Sequence, residues 1–192
     1  MTHLLRLLCP LALLLAAVPA PALTVSGAVT LAPPPGDVTL GAYESDTAIY
    51  LFPERTGVTL ASDLAADVTA PGSVGTSADL TPGTIAAATA VDSYLLHFDP
   101  VGSTNVVRLT GSVTFDRPIL GVLVADNTLA GSDGPLGHPG TLYPTTLALR
   151  GLEFPGQDYL TLSADMRTLE LDWTASDVLD QVRVVTAVPE PT

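Results

Sequence analysis

Lysine is absent from the 192 residues, and only seven arginines stand against 20 acidic residues, for a formal net charge of −13. A phosphate backbone needs a basic face to neutralise it, so this balance argues against a nucleic-acid partner. Aromatic residues are scarce as well, with one Trp, five Tyr and four Phe. That is few for the exposed platforms on which sugars stack, and Trp173 alternates with Leu169 and Leu171, which places it in a core. The sole cysteine is Cys9, inside an apolar N-terminal run. With 16 Gly and 17 Pro punctuating aliphatic blocks, the chain reads neither as a helical bundle nor as a disordered acidic tail.

Residues 1–22 carry a short polar start with Arg6, a Leu/Ala run from Leu7 to Val18, and the small-residue ending Ala20-Pro21-Ala22. This is the three-part pattern of a secretory signal peptide cleaved after Ala22. The run is shorter than the roughly 20 residues of a membrane-spanning helix, so no span is expected in the mature chain. Cys9 follows bulky Leu7 and Leu8 within the run and reads as membrane-facing filler. Removing the segment leaves no cysteine, which excludes disulfides, thiol catalysis, Cys-rich zinc sites and redox exchange. The fold then rests on a hydrophobic core, with cations as the available supplement. So negative a surface disfavours anionic lipid or acidic polysaccharide unless a divalent ion intervenes.

Short apolar or alternating segments closed by Gly, Pro, Asp or Asn dominate residues 23–187. Candidate strands are 23–31, 47–52, 57–60, 63–69, 92–98, 106–115, 119–125, 145–150, 159–163, 168–173 and 178–186. In 106–115, Val107, Leu109, Gly111, Val113 and Phe115 alternate with Arg108, Thr110, Ser112 and Thr114, which predicts one buried and one solvated face. Leu169, Leu171 and Trp173 alternate with Thr168, Glu170 and Asp172, and Val182 and Val184 with Gln181 and Arg183. Helix signals are weak: 84–91 reads as one helical turn or an irregular edge, and 176–181 as a strand continuation or a short helix capped by Ser176. So many short strands need two packed layers, so the expected fold is all-β, an antiparallel, jelly-roll-like β-sandwich forming one domain. The Pro/Gly-rich stretches 71–83 and 126–144 are expected as loops.

Three groups bear on chemistry. Asp126, Asn127 and Asp133 offer hard oxygen ligands of the kind calcium prefers, although Asp and Asn near Gly are also ordinary turn residues. Asp177 and Asp180 are a second such pair, whose plainer role is to cap and solubilise the last strand. His97 and Asp99 share a strand face opposite Tyr94, Leu96 and Phe98, a base with an orienting carboxylate if a nucleophile lay within reach. No Gly-x-Ser-x-Gly turn supplies one, and His97 is expected on the solvent face. His138, between Gly137 and Pro139, reads as a loop residue.

The tail 188–192, Val188-Pro189-Glu190-Pro191-Thr192, resembles the opening of the sorting signal of bacterial PEP-CTERM proteins, in which this motif precedes a membrane helix and an Arg cluster. Neither follows in this sequence, so either the chain is truncated or the anchor has been lost, and in the second case the resemblance implies release outside the inner membrane instead of retention. The segments 49–69, 91–100, 111–123 and 162–186 are similar to those of uncharacterised exported proteins, which implies a shared sandwich and no catalytic residues. The resulting expectation is a secreted or cell-surface protein of a Gram-negative bacterium, not an enzyme. It would act as a structural or extracellular-matrix component, with exopolysaccharide or envelope components as partners. The alternatives are a calcium-dependent carbohydrate-binding module and, third, a hydrolase using His97 and Asp99.

Overall fold

The computed structural model describes residues 23–102 and 106–188; the signal-peptide segment 1–22 and most of the tail motif, 189–192, lie outside the described residues. The expected first strand divides at Gly27. Strand β1 (Leu23–Gly27) and β2 (Val29–Leu31) belong to different sheets. Gly27 turns the chain with φ +64, and a Cβ there would lie 2.5 Å from the Thr110 carbonyl oxygen, so only glycine fits this crossing.

Next come β3 (Ile49–Thr59), β4 (Leu64–Ala66), β5 (Gly72–Val74), β6 (Gly83–Ile85), β7 (Ala90–Phe98), β8 (Val107–Phe115) and β9 (Ile119–Leu123). Helix α1 (Asp126–Leu136), β10 (Tyr159–Leu162), β11 (Thr168–Ala175) and β12 (Asp180–Ala187) complete the chain. One five-stranded sheet runs β1-β8-β11-β10-β5 and is antiparallel throughout. The other runs β2-β3-β7-β12-β9 and is mixed, because β2 pairs parallel with β3. Strands β4 and β6 form a separate ribbon. The all-β sandwich is therefore the fold, with one parallel pair in place of a wholly antiparallel pattern.

The main core lies between the sheets. Val113, Phe115, Leu160, Leu169, Leu171 and Trp173 from the first meet Ile49, Leu51, Leu96, Phe98, Val122, Val182 and Val184 from the second. Each large side chain fully buried there contributes about 1.5–3 kcal/mol, set against about 1–2 kcal/mol per residue of backbone ordering. The outer face of the first sheet, here called the open sheet, is solvated and carries hydroxyl pairs, Ser26 with Ser112, Thr114 with Thr168 and Ser73 with Thr161.

The second sheet is covered on its outer face too. Leu123, Val91 and Val185 pack there under Leu129 and Leu136 of α1 and Ala66 and Ile85 of the ribbon. Phe52 and Leu95 pack under Val38, Tyr43 and Tyr143 from the loops. Consequently β7 is buried at every residue but Ala90, and β12 at every residue but Ala187.

Several expectations are corrected. The stretch 126–144 begins with α1 instead of a loop. Gly131, Gly134 and Pro135 give it little intrinsic helicity, so tertiary contacts hold it. The Asp67 carboxylate accepts the Val124 and Ala125 N–H groups and the Thr128 hydroxyl at its start. Ser93 and Arg55 donate to the Leu136 and Gly137 carbonyls at its end, and Leu129 and Leu136 are buried beneath it. Residues 47–52 and 57–60 join in one strand, β3, whose register shifts around Arg55. Residues 145–150 form turns, 71–83 contributes β5 and the start of β6, and 176–181 is neither helix nor continuous strand, since β12 begins at Asp180.

Candidate functional site

Two groups of buried polar side chains flank β12, one on each of its faces. Gln181 and Arg183 point outward from the covered sheet, beside His97 and Leu95 of β7. Alternation suggests solvent there, but α1 and the loops lie over them, and Gln181, Arg183 and His97 are each wholly buried.

Arg183 donates through Nε to Glu54 Oε2 at 2.7 Å and through Nη2 to Glu54 Oε1 at 2.9 Å and Asp133 Oδ1 at 3.0 Å. Its Nη1 reaches Ser132 and the Leu129 carbonyl. Arg150 grips Asp133 with both Nη atoms, at 2.6 and 2.8 Å, and donates through Nε to Gln181 Oε1 at 2.6 Å. That last bond fixes the Gln181 amide, whose Nε2 donates to the Val38 carbonyl and to His97 Nδ1, both at 2.9 Å. His97 therefore carries its proton on Nε2 and donates it to the Tyr43 carbonyl at 3.2 Å. Burial lowers the His97 pKa to about 4, so the ring is neutral. The Tyr143 hydroxyl donates to Glu54 Oε1 at 2.6 Å, and its ring lies under the Arg183 and Arg150 guanidinium groups at 5.4 and 5.8 Å. Burial and the adjacent Glu54 push the Tyr143 hydroxyl pKa up. Two arginines balance two carboxylates, and the network fastens α1 and the following loop to the sheet.

The opposite face of β12 starts with Asp180, which shares the inward parity of Val182 and Val184. Its carboxylate meets Glu153 and Asp158, from the segment that leads into β10, and one oxygen of each of the three lies within 4.8 Å of the others. Asp158 is held in place by the Glu153 and Thr174 N–H groups at 2.8 and 3.0 Å. Asp180 is wholly buried, and among the described residues neither of its oxygens has a hydrogen-bond partner; Glu153 Oε1 lacks one as well.

Burial, and then Asp158, Glu153 and Asp99, drive the Asp180 pKa well above the carboxylate range. Burial, and then Asp158, Asp126 and Asp177, raise Glu153 to about 7, and burial raises Asp158. No described arginine pairs with any of the three, because the ion pairs formed are Arg108 with Asp172, Arg117 with Asp116, Arg150 with Asp133, and Arg183 with Glu54 and Asp133. Chemically, such a centre holds protons or a hard cation. On its outer side Glu153 lines a cavity of about 450 Å³ with Asp126, Asn127, Leu149, Leu152 and Phe154.

The structure does not bring Asp126, Asn127 and Asp133 together. The Asp126 carboxylate accepts the N–H groups of Leu149, Arg150 and Gly151, Asn127 is exposed beside it, and Asp133 is bound by both buried arginines. Seven positions along a helix separate Asp126 from Asp133, about 10 Å of axial rise. No hydrogen bond joins His97 to Asp99 among the described residues. Both His97 nitrogens are engaged beneath the cover, which corrects the solvent-face expectation. Asp99 accepts the Gly41 N–H, and burial raises its pKa to about 6. Asp180, expected to solubilise the last strand, is buried instead, while Trp173 is in the core as expected.

Sequence reasoning missed the Glu153, Asp158 and Asp180 group because the sheet pairing assembles it from distant positions. One signal was present, an acid on the parity of Val182 and Val184. No protein family, curated protein or solved structure matches the chain.

Proposed function

We propose that the protein is an exported, non-catalytic β-sandwich that serves as a structural or matrix-associated component at the surface of a Gram-negative cell. The observation that carries this reading is where the acid–base side chains lie. His97, Glu54, Asp133 and Tyr143 are all engaged in the network that fastens the cover to the sheet. The open sheet, by contrast, offers solvent a hydroxyl-bearing face suited to contact with a hydrated polymer such as an exopolysaccharide. The signal-peptide pattern and the Val-Pro-Glu-Pro tail support the address.

Expressing the full chain in a Gram-negative host and fractionating the cells tests this reading. The expected result is a protein beginning at Leu23 in the medium or matrix fraction. An intact chain confined to the cytoplasm would contradict it.

A second reading, a calcium-dependent carbohydrate-binding module, is favoured by one feature, the cavity that Glu153 shares with Asp126 and Asn127. A glycan array with and without chelator separates the two, since only the module loses glycan binding when calcium is removed.

A further inference from the structure

We infer that Glu153, Asp158 and Asp180 form a calcium site that clasps the two sheets together at one end of the sandwich. Asp180 belongs to the covered sheet, whereas Asp158 immediately precedes β10 of the open sheet and is tied to β11 through the Thr174 N–H group. An ion between them would join the two layers directly, beside the backbone bonds that already tie Arg150 and Leu152 to Gln181 and Val124.

The donor set is three carboxylates, the hard oxygen ligands that calcium takes. The three oxygens all lie within 4.8 Å of one another, close enough for all three to meet one ion, and calcium accepts the irregular geometry that magnesium, with its near-ideal octahedron and reluctant dehydration, does not.

The independent indication is Asp180 itself. It is wholly buried, it is aimed at the other two carboxylates, and it has no partner for either oxygen among the described residues. A carboxylate in that position is costly unless something charged or protic meets it. The buried network shows that the same strand supplies such partners where it uses only protein groups, since Arg183 is fully saturated.

Asp158 keeps lone pairs free beyond the two N–H bonds that orient it, the arrangement by which supporting contacts fix a ligand. Glu153 is only half-buried and borders the cavity, so one ligand of the site reaches the solvent side. The site is distinct from Asp126, Asn127 and Asp133, and it holds whether or not the protein works at the cell surface.

Isothermal titration of calcium chloride into chelator-stripped protein tests the inference. The expected result is one site per chain with a dissociation constant below about 10⁻³ M, and at least tenfold weaker binding of magnesium. Asp180→Asn and Glu153→Gln should each weaken calcium at least tenfold, while Glu170→Gln, on the solvated face of β11, should leave it unchanged. Circular dichroism monitors folding, and if Asp180→Asn does not fold, Glu153→Gln decides. Absence of saturable binding in the wild type, or undiminished affinity in the folded variants, would overturn the site.

Discussion

The two faces of β12 handle buried charge in opposite ways. On the outer face, Arg150 and Arg183 meet Glu54 and Asp133 under the cover, and hydrogen bonds engage every nitrogen of both guanidinium groups. On the inner face, Asp180 faces Glu153 and Asp158 with no basic residue among them. Burial penalises an isolated charge whatever its sign, so the first region carries its own counter-ions and the second must recruit protons or a cation. In a chain without lysine, both described buried arginines are committed to the outer face, and no described basic residue forms an ion pair with the inner one.

The largest expected effect comes from breaking the self-neutralised side. Arg183→Ala leaves Glu54 and Asp133 buried with half their partners gone, and should cost about 3–5 kcal/mol, read by urea denaturation. A loss under about 1 kcal/mol would mean that the network is dispensable.

Asp180→Asn probes the other side and should act in the opposite direction. Without calcium it removes an unpaired carboxylate from the interior, so the thermal midpoint rises, by about 2–4 °C for each kcal/mol gained. With saturating calcium the wild type should instead be the more stable of the two.

Their pH dependences should oppose each other as well. His97 has its folded pKa depressed from 6.5 to about 4, so the folded state binds fewer protons than the unfolded one in that interval. Its contribution is present above pH 6.5 and is lost as pH falls through 4. Glu153 is raised to about 7, so in the calcium-free protein its contribution is present below the ordinary carboxylate pKa and is lost as pH rises through 7. Midpoints measured across pH should show His97→Gln flattening the acid limb and Glu153→Gln the neutral one; the reverse assignment would contradict the comparison.

The smallest effect is expected on the open sheet. Arg108 and Asp172 form an ion pair in solvent, with the arginine side chain 64% exposed, and Arg108→Ala should leave the thermal midpoint unchanged.

The same contrast explains what was legible in the sequence. Strands β8 and β11 of the open sheet bury one face only, so Val113, Leu169, Leu171 and Trp173 could be assigned inward from alternation alone. In β7 and β12 the alternation holds, but neither face meets solvent. His97, Gln181 and Arg183 do lie opposite the main core, yet a helix disguised by Gly131, Gly134 and Pro135 buries them. Alternation reports which side of a strand a residue faces; it does not report what lies beyond that side. The acidic centre was hidden for a different reason, because Glu153 and Asp158 reach Asp180 only once β10 and β12 occupy their separate sheets.

The most direct check is long-wavelength anomalous diffraction from crystals grown with calcium. The account predicts a single strong peak bonded to Glu153, Asp158 and Asp180 at about 2.3–2.6 Å. At saturating calcium, no peak there, or a peak only beside Asp126 and Asn127, would contradict it.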